Sequence, residues 1–187
     1  MSPKTKLNPT FEPTIKLEMM KQTVLRYGAY GALTICVLFI ISWYALGNLS
    51  MSVQELLGYV SIIVSLSFVF FGIKHFRDRE NEGKVSFKKA LIIGILISII
   101  TALAFGLLDV LYTEVLNPEF MDTYYEEVIQ EMRTNLPSEE FQVKLAELES
   151  QREQFSNPLL SFIFMGMTVF LIGFIISLLS SLILQRK

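Results

Sequence analysis

Two carboxylates, Asp109 and Glu55, lie inside or at the edge of long apolar stretches of this sequence. A charge in hydrocarbon is expensive, so such residues are the first candidates for proton or cation coupling. Neither residue is near the middle of its stretch, and no basic residue inside the stretches can pair with them. Asp109 is therefore either a coupling residue or an interfacial carboxylate that reaches headgroup water.

Other reactive side chains are sparse. His75 is the sole histidine, in a turn with Asp78, Glu80 and Glu82, and Cys36 is the sole cysteine. One histidine beside solvated carboxylates is weak support for a metal site, and a single thiol allows no intrachain disulfide. HExxH and GxSxG patterns are absent. We therefore expect no cofactor, no metal site and no enzymatic activity.

Four long uncharged stretches must position these residues: 27–46, 56–73, 90–108 and 159–184. As helices each would extend about 27 Å or more, comparable with a bilayer core of about 30 Å. The first stretch exceeds the roughly 7–15 apolar residues of a signal peptide, so we interpret it as a retained span. The predicted fold class is all-α: a polytopic membrane protein with four transmembrane helices.

Basic residues predict the orientation in the membrane. The N-terminal segment, the turn at 74–89 and the C-terminus together hold 13 of the 16 lysines and arginines. Basic residues near span ends tend to stay in the cytoplasm. We expect both termini to be cytoplasmic in a bacterial inner membrane, and residues 113–157 to face outward.

The turn at 74–89 is either a solvated hairpin or a surface for anionic lipids. Lys88 and Lys89 near a helix start oppose the helix dipole by about 0.3–1 kcal/mol each. Moving such a residue to the membrane centre costs about 2.5–3.5 kcal/mol, so topology decides their place. The candidate lipid contacts are Lys74, Arg77, Arg79, Lys88 and Lys89.

The outward segment, 113–157, is predicted to be an extracytoplasmic helical hairpin between the third and fourth spans. It holds eleven acidic and three basic residues, and two Asn-Pro pairs, at 117–118 and 157–158, mark its breaks from the membrane helices. Apolar residues recur at helical spacing: Met121, Tyr125, Val128 and Met132, then Phe141, Leu145, Leu148 and Phe155. The carboxylates form a solvated face, a docking surface or a weak divalent-cation site.

Small residues recur every four positions in two spans. They are Gly94, Ser98, Ala102 and Gly106 in the third, and Gly173, Ser177 and Ser181 in the fourth. Such stripes let helix backbones approach closely in lipid. They form seams of a four-helix bundle or faces of a homo-oligomer.

These assignments divide the chain into four segments. Residues 1–23 are a cytoplasmic tail, and 24–112 are the first three transmembrane helices with the turn at 74–89. Residues 113–157 are the outer hairpin, and 158–187 are the fourth helix and a short cytoplasmic tail.

Several segments resemble the bacterial domain-of-unknown-function family 4199. They are "GIKHFRDRENEGKVSFKKALIIG", "NPEFMDTYYEE", "LAELESQREQFSNPL" and "IISLLSSLILQRK". The resemblance runs from residue 21 to residue 187. The resemblance implies a small four-span membrane protein. It implies no catalytic or binding residues, because none are assigned in that family.

The function favoured by the sequence is an interaction, assembly or sensing protein that acts through its acidic hairpin. The expected partners are the lipid bilayer, an envelope protein that contacts residues 119–155, and further copies of the chain, with no nucleic acid. The alternative is a small oligomeric transporter or channel subunit.

Overall fold

The secondary structure is helical along the part of the chain that the structure describes. This computed structural model describes residues 12–45, 49, 51–155 and 157–186, with side chains at 16–45, 49, 53–152 and 157–186. The six helices are α1 (Glu12–Ala45), α2 (Met51–His75), α3 (Phe87–Leu111), α4 (Phe120–Asn135), α5 (Ser138–Phe155) and α6 (Pro158–Leu184). The described residues contain no β-strand, which confirms the all-α prediction.

Four helical segments have the length and apolarity needed to cross a membrane. They are Lys16–Ala45, Val53–Glu80, Phe87–Leu116 and Pro158–Leu184, as the sequence predicted. Two of these are α2 and α3 extended by one π-helical turn each, Phe76–Glu80 and Tyr112–Leu116. Their outer faces carry exposed leucine and isoleucine, such as Leu33 at 68% and Ile183 at 70% exposure. Such surfaces are stable in lipid, where apolar exposure carries no penalty.

The first of two compact units, here the core unit, contains described residues from 12–103 and 168–186. Its interior is built from apolar side chains on all four long helices. Those with no exposed surface are Ile35, Leu66, Val69, Ile73, Phe76, Ala90, Ile93, Ile97 and Val169. Helix α1 begins at Glu12, so residues 12–23 of the predicted tail are helical and continuous with the first span.

The second compact unit, here the hairpin unit, comprises residues 104–167. Its α4 and α5 are joined by Leu136 and Pro137 and pack antiparallel. The guanidinium of Arg152, late in α5, lies 5.5 Å from the Tyr125 ring, early in α4. The guanidinium of Arg133, late in α4, lies 5.8 Å from the Phe141 ring, early in α5.

The apolar spacing in α4 and α5 identifies the packed faces. Tyr125 is buried at 4% exposure. The other described residues of the predicted seam are half-buried: Met121, Val128, Met132, Phe141, Leu145 and Leu148. Most residues between them are exposed, because only one face of each helix meets the other.

Some predictions lie outside the described residues. These concern residues 1–11, including Lys4 and Lys6, together with Lys187 and the side chain of Phe155.

Candidate functional site

Asp109 lies in α3 and receives a hydrogen bond from a serine of α6. The Ser161 hydroxyl donates to Asp109 Oδ2 at 2.8 Å, and Ser161 is buried at 6% exposure. The Thr113 hydroxyl donates instead to the backbone carbonyl of Asp109 at 3.0 Å. No described basic side chain forms an ion pair with Asp109. One polar side chain, that of Ser161, thus stabilises the Asp109 carboxyl group within an apolar span.

Glu55, the second candidate carboxylate, is exposed near the start of α2 in the core unit. It forms no hydrogen bond with any described residue.

The small residues of α3 and α6 meet inside the core unit. A Cβ atom built on Gly94 would lie 2.8 Å from the side chain of Ser177, and one on Gly173 would lie 2.6 Å from that of Ser98. The Ser98 and Ser177 hydroxyl oxygens are 3.3 Å apart. Each also donates within its helix, Ser98 to the Gly94 carbonyl at 2.9 Å and Ser177 to the Gly173 carbonyl at 2.6 Å.

The remaining small residues have separate positions. Ser181 is fully buried in the core unit and donates to the Ser177 carbonyl at 2.6 Å, and Ala102 is 5% exposed. Gly106 lies in the hairpin unit, where an added Cβ would come 2.8 Å from the ring of Phe162. At Gly94, Gly106 and Gly173 the close approaches are to other residues of the same chain.

The basic turn at 74–89 folds around specific backbone contacts. Glu82 and Gly83 have φ angles of 55° and 77°, in the left-handed region that favours glycine. The Gly83 N–H donates to the Arg77 carbonyl at 2.7 Å, and the Asn81 side chain donates to the Lys84 carbonyl. Ser86 Oγ accepts from the Lys89 N–H at 3.4 Å, at the start of α3.

The five candidate lipid contacts differ in availability. Arg77 forms an ion pair with Asp78 and is only 16% exposed. The ammonium of Lys89 lies 5.5 Å from the centre of the Phe76 ring. Lys74, Arg79 and Lys88 are exposed.

A polar cluster joins α1 to the π-helical turn that follows α2. The Thr23 hydroxyl donates to Glu80 Oε2 at 2.6 Å, and His75 Nε2 lies 3.3 Å from Glu80 Oε1. Thr23 is 1% exposed, and the Tyr27 ring centre lies 5.5 Å from that of His75. The hydrogen bond from Thr23 to Glu80 and the ring contact of Tyr27 with His75 join α1 to the end of α2.

The basic residues of the hairpin unit contact other side chains of the same unit. Arg152 forms an ion pair with Asp122, and Lys144 with Glu147 at 2.9 Å, while Arg133 stacks on an aromatic ring. Eight exposed glutamates form no ion pair with described residues: Glu114, Glu119, Glu126, Glu127, Glu131, Glu139, Glu140 and Glu149. The hairpin therefore presents excess negative charge to solvent.

Comparison with known proteins gives one match. The model of the family described as "Protein of unknown function (DUF4199)" matches residues 26–186. The chain belongs to this family. No curated protein and no solved structure matches it. DUF4199 membership confirms the resemblance found in the sequence.

Sequence reasoning missed two polar contacts between distant parts of this DUF4199 chain. Thr23 and Glu80 are 57 residues apart, and Asp109 and Ser161 are 52 apart. Helical periodicity relates residues three or four apart, so it gives no signal for such pairs. A polar residue on an otherwise apolar face, such as Ser161 in α6, was the available clue.

Proposed function

We propose that this protein is a non-enzymatic membrane protein whose α4–α5 hairpin, residues 119–155, binds a partner protein of the cell envelope in assembly or sensing. In this proposal it crosses a bacterial inner membrane with both termini in the cytoplasm. The distribution of basic residues supports that orientation, since 13 of 16 lie in the segments assigned to the cytoplasm.

The observation that carries the proposal is the charge balance of the hairpin. All three of its basic residues contact other side chains of the hairpin, and seven of the glutamates named above, all except Glu114, lie in it without an ion pair among the described residues. Unpaired surface carboxylates attract a partner of opposite charge and speed its association. The hairpin thus suits a partner with a basic surface.

An apolar contact point accompanies the carboxylates. Val143 on α5 is 61% exposed, and together with Gln142 and Ala146 it lines a shallow, open depression. Protein interfaces commonly combine such a central apolar contact with a polar rim.

Photocrosslinking from the hairpin tests the proposal. A photoreactive amino acid at Val143 should crosslink a discrete envelope protein in native membranes. The matched position is Ile183, which is 70% exposed on a long apolar helix and should crosslink no discrete protein. Equal crosslinking patterns from both positions would contradict a partner at the hairpin.

The second part of the crosslinking experiment removes negative charge from the hairpin. The triple change Glu126→Gln, Glu127→Gln and Glu131→Gln should reduce crosslinking from Val143 about tenfold or more, since interfacial charge governs association rate. A triple change to glutamine at Glu18, Glu55 and Glu82 removes the same charge outside the hairpin and should leave crosslinking unchanged. Capture of the partner by a chain that lacks residues 119–155 would refute the proposal.

The second candidate function is a small oligomeric transporter or channel subunit. It is supported by the contact between Asp109 and Ser161 inside an apolar span. Coupled transport predicts cation-dependent or proton-dependent flux in proteoliposomes that Asp109→Asn abolishes and Glu55→Gln preserves. Absence of flux, or equal flux in wild type and Asp109→Asn, contradicts this candidate.

A further inference from the structure

The residues that follow α6 are fixed to the basic turn by backbone hydrogen bonds. The Val85 N–H donates to the Arg186 carbonyl at 3.0 Å, and the Arg186 N–H donates to the Val85 carbonyl at 2.8 Å. Arg77 Nη1 also donates to the carbonyl of Leu184 at 3.3 Å. These contacts hold Arg186 beside the turn, within the core unit.

Lys74 lies four residues before Asp78 in the same helical segment, and the backbone bonds of Arg186 to Val85 hold Arg186 beside the turn. We call Lys74, Arg77, Asp78 and Arg186 the Asp78 cluster. Arg77 forms the ion pair with Asp78, with Nε 2.6 Å from Oδ1. Lys74 and Arg186 also act electrostatically on Asp78. The cluster therefore carries two positive charges beyond the one that Asp78 neutralises.

Those two charges belong to side chains that are open to solvent. Lys74 and Arg186 are exposed, and neither forms a hydrogen bond or ion pair with a described side chain. Arg77 is occupied by Asp78 and the Leu184 carbonyl. Lys74 and Arg186 are thus the members that can bind a further anion.

The cluster lies at the ends of two apolar segments. The segment Val53–Glu80 ends two residues after Asp78, and Pro158–Leu184 ends two residues before Arg186. The ends of membrane-spanning helices lie at the level of lipid headgroups, and lysine and arginine side chains extend toward that level. A lipid phosphate is the anion that is abundant there.

We propose that the Asp78 cluster binds the phosphate of an anionic phospholipid headgroup through Lys74 and Arg186. Arginine and lysine form charge-assisted hydrogen bonds with phosphate oxygens. An anionic lipid is favoured over a zwitterionic one because the headgroup of a zwitterionic lipid also carries a positive charge. The cluster has excess positive charge, and its one carboxylate, Asp78, is already paired with Arg77. Of the five lipid contacts expected from the sequence, this site includes only Lys74. Arg186 is a further contact that the sequence did not suggest.

Native mass spectrometry of the full-length protein in detergent tests the site. Wild type, mixed with equimolar phosphatidylglycerol and phosphatidylcholine, should retain phosphatidylglycerol preferentially. The double variant Lys74→Gln, Arg186→Gln should lower that preference about 25-fold, since each basic residue near an anionic surface contributes about a factor of five. The backbone bridge to Val85 does not need the Arg186 side chain, so the variant should unfold at the wild-type temperature.

The matched control removes the same charge from exposed residues that do not act on Asp78. Arg79→Gln, Lys88→Gln should keep most of the wild-type preference for phosphatidylglycerol. Equal losses in the two double variants would overturn the site, because they would indicate a general effect of net charge. Full competition by glycerol 3-phosphate at the lipid concentration would also overturn it, because the site would then bind a free anion rather than a lipid.

Discussion

At the scale of single residues, the contact between α3 and α6 depends on the absence of a side chain at Gly173. A Cβ there would lie 2.6 Å from the Cβ and Oγ atoms of Ser98, and 3.1 Å from Leu66 Cδ2. Real Cβ atoms do not approach so closely, so the two helices would have to separate. In lipid such close packing is a main source of helix association.

The change Gly173→Ala should therefore destabilise the protein by about 1–3 kcal/mol, the usual effect of overpacking. Adding Ser98→Gly removes both clashing atoms and should restore most of the loss. Thermal unfolding in detergent measures both. Gly58→Ala is the control, because an added Cβ at Gly58 meets nothing within 4 Å. A double variant no more stable than Gly173→Ala would show that this contact does not limit stability.

Residue types predicted these packing positions, but not the polar pairs. Gly94, Ser98, Gly173 and Ser177 were recognisable because a stripe of small residues follows the helix period. The contact of Thr23 with Glu80 was not recognisable, because it joins two helices through one hydroxyl. The pairing of helices is decided by tertiary packing, and a single sequence carries no signal for it.

At the scale of elements, the apolar spacing predicted which faces of α4 and α5 meet. Tyr125 and the half-buried residues around it lie on that spacing, because each helix buries only one stripe. The π-helical turns at Phe76–Glu80 and Tyr112–Leu116 were not predicted. A π turn shifts the backbone by one residue, and no residue type signals it as Gly or Pro signals a turn.

Arg152 should control how tightly the hairpin closes, because it pairs with Asp122 and lies over the Tyr125 ring. Arg152→Ala should speed amide hydrogen exchange in the first turns of α4 about two- to fivefold, the size of an exposed cation–π contact. Lys144→Ala breaks only a pair within α5 and should leave α4 protection unchanged. Equal exchange in all three proteins would contradict a closing role for Arg152.

Tyr125 gives the same contact a pH dependence. Burial raises the pKa of its hydroxyl, Tyr124 raises it further, and Arg152 opposes the rise. Because the folded pKa lies above the unfolded one, the contribution of Tyr125 is complete below its ordinary pKa of 10.0 and is lost as pH rises through the folded value. Protection in α4 should therefore be constant near neutral pH and fall only in strongly alkaline solution.

At the scale of the whole molecule, the number of long apolar helices could be predicted from the uncharged stretches of the sequence. Uncharged stretches of 18 residues or more are rare outside membranes, so four of them predicted the four long apolar helices that the structure contains. The side of the membrane that each loop occupies remains a prediction from the placement of lysine and arginine.

That placement is the central claim, because the proposed partner of the hairpin depends on it. Its most direct test is labelling of single cysteines with a membrane-impermeant maleimide in intact spheroplasts. The variants are Lys84→Cys and Lys144→Cys, each with Cys36→Ala to remove the native thiol. We expect rapid labelling of the cysteine at 144, and labelling of the cysteine at 84 only after lysis. Labelling at 84 but not at 144 in intact spheroplasts would contradict the account.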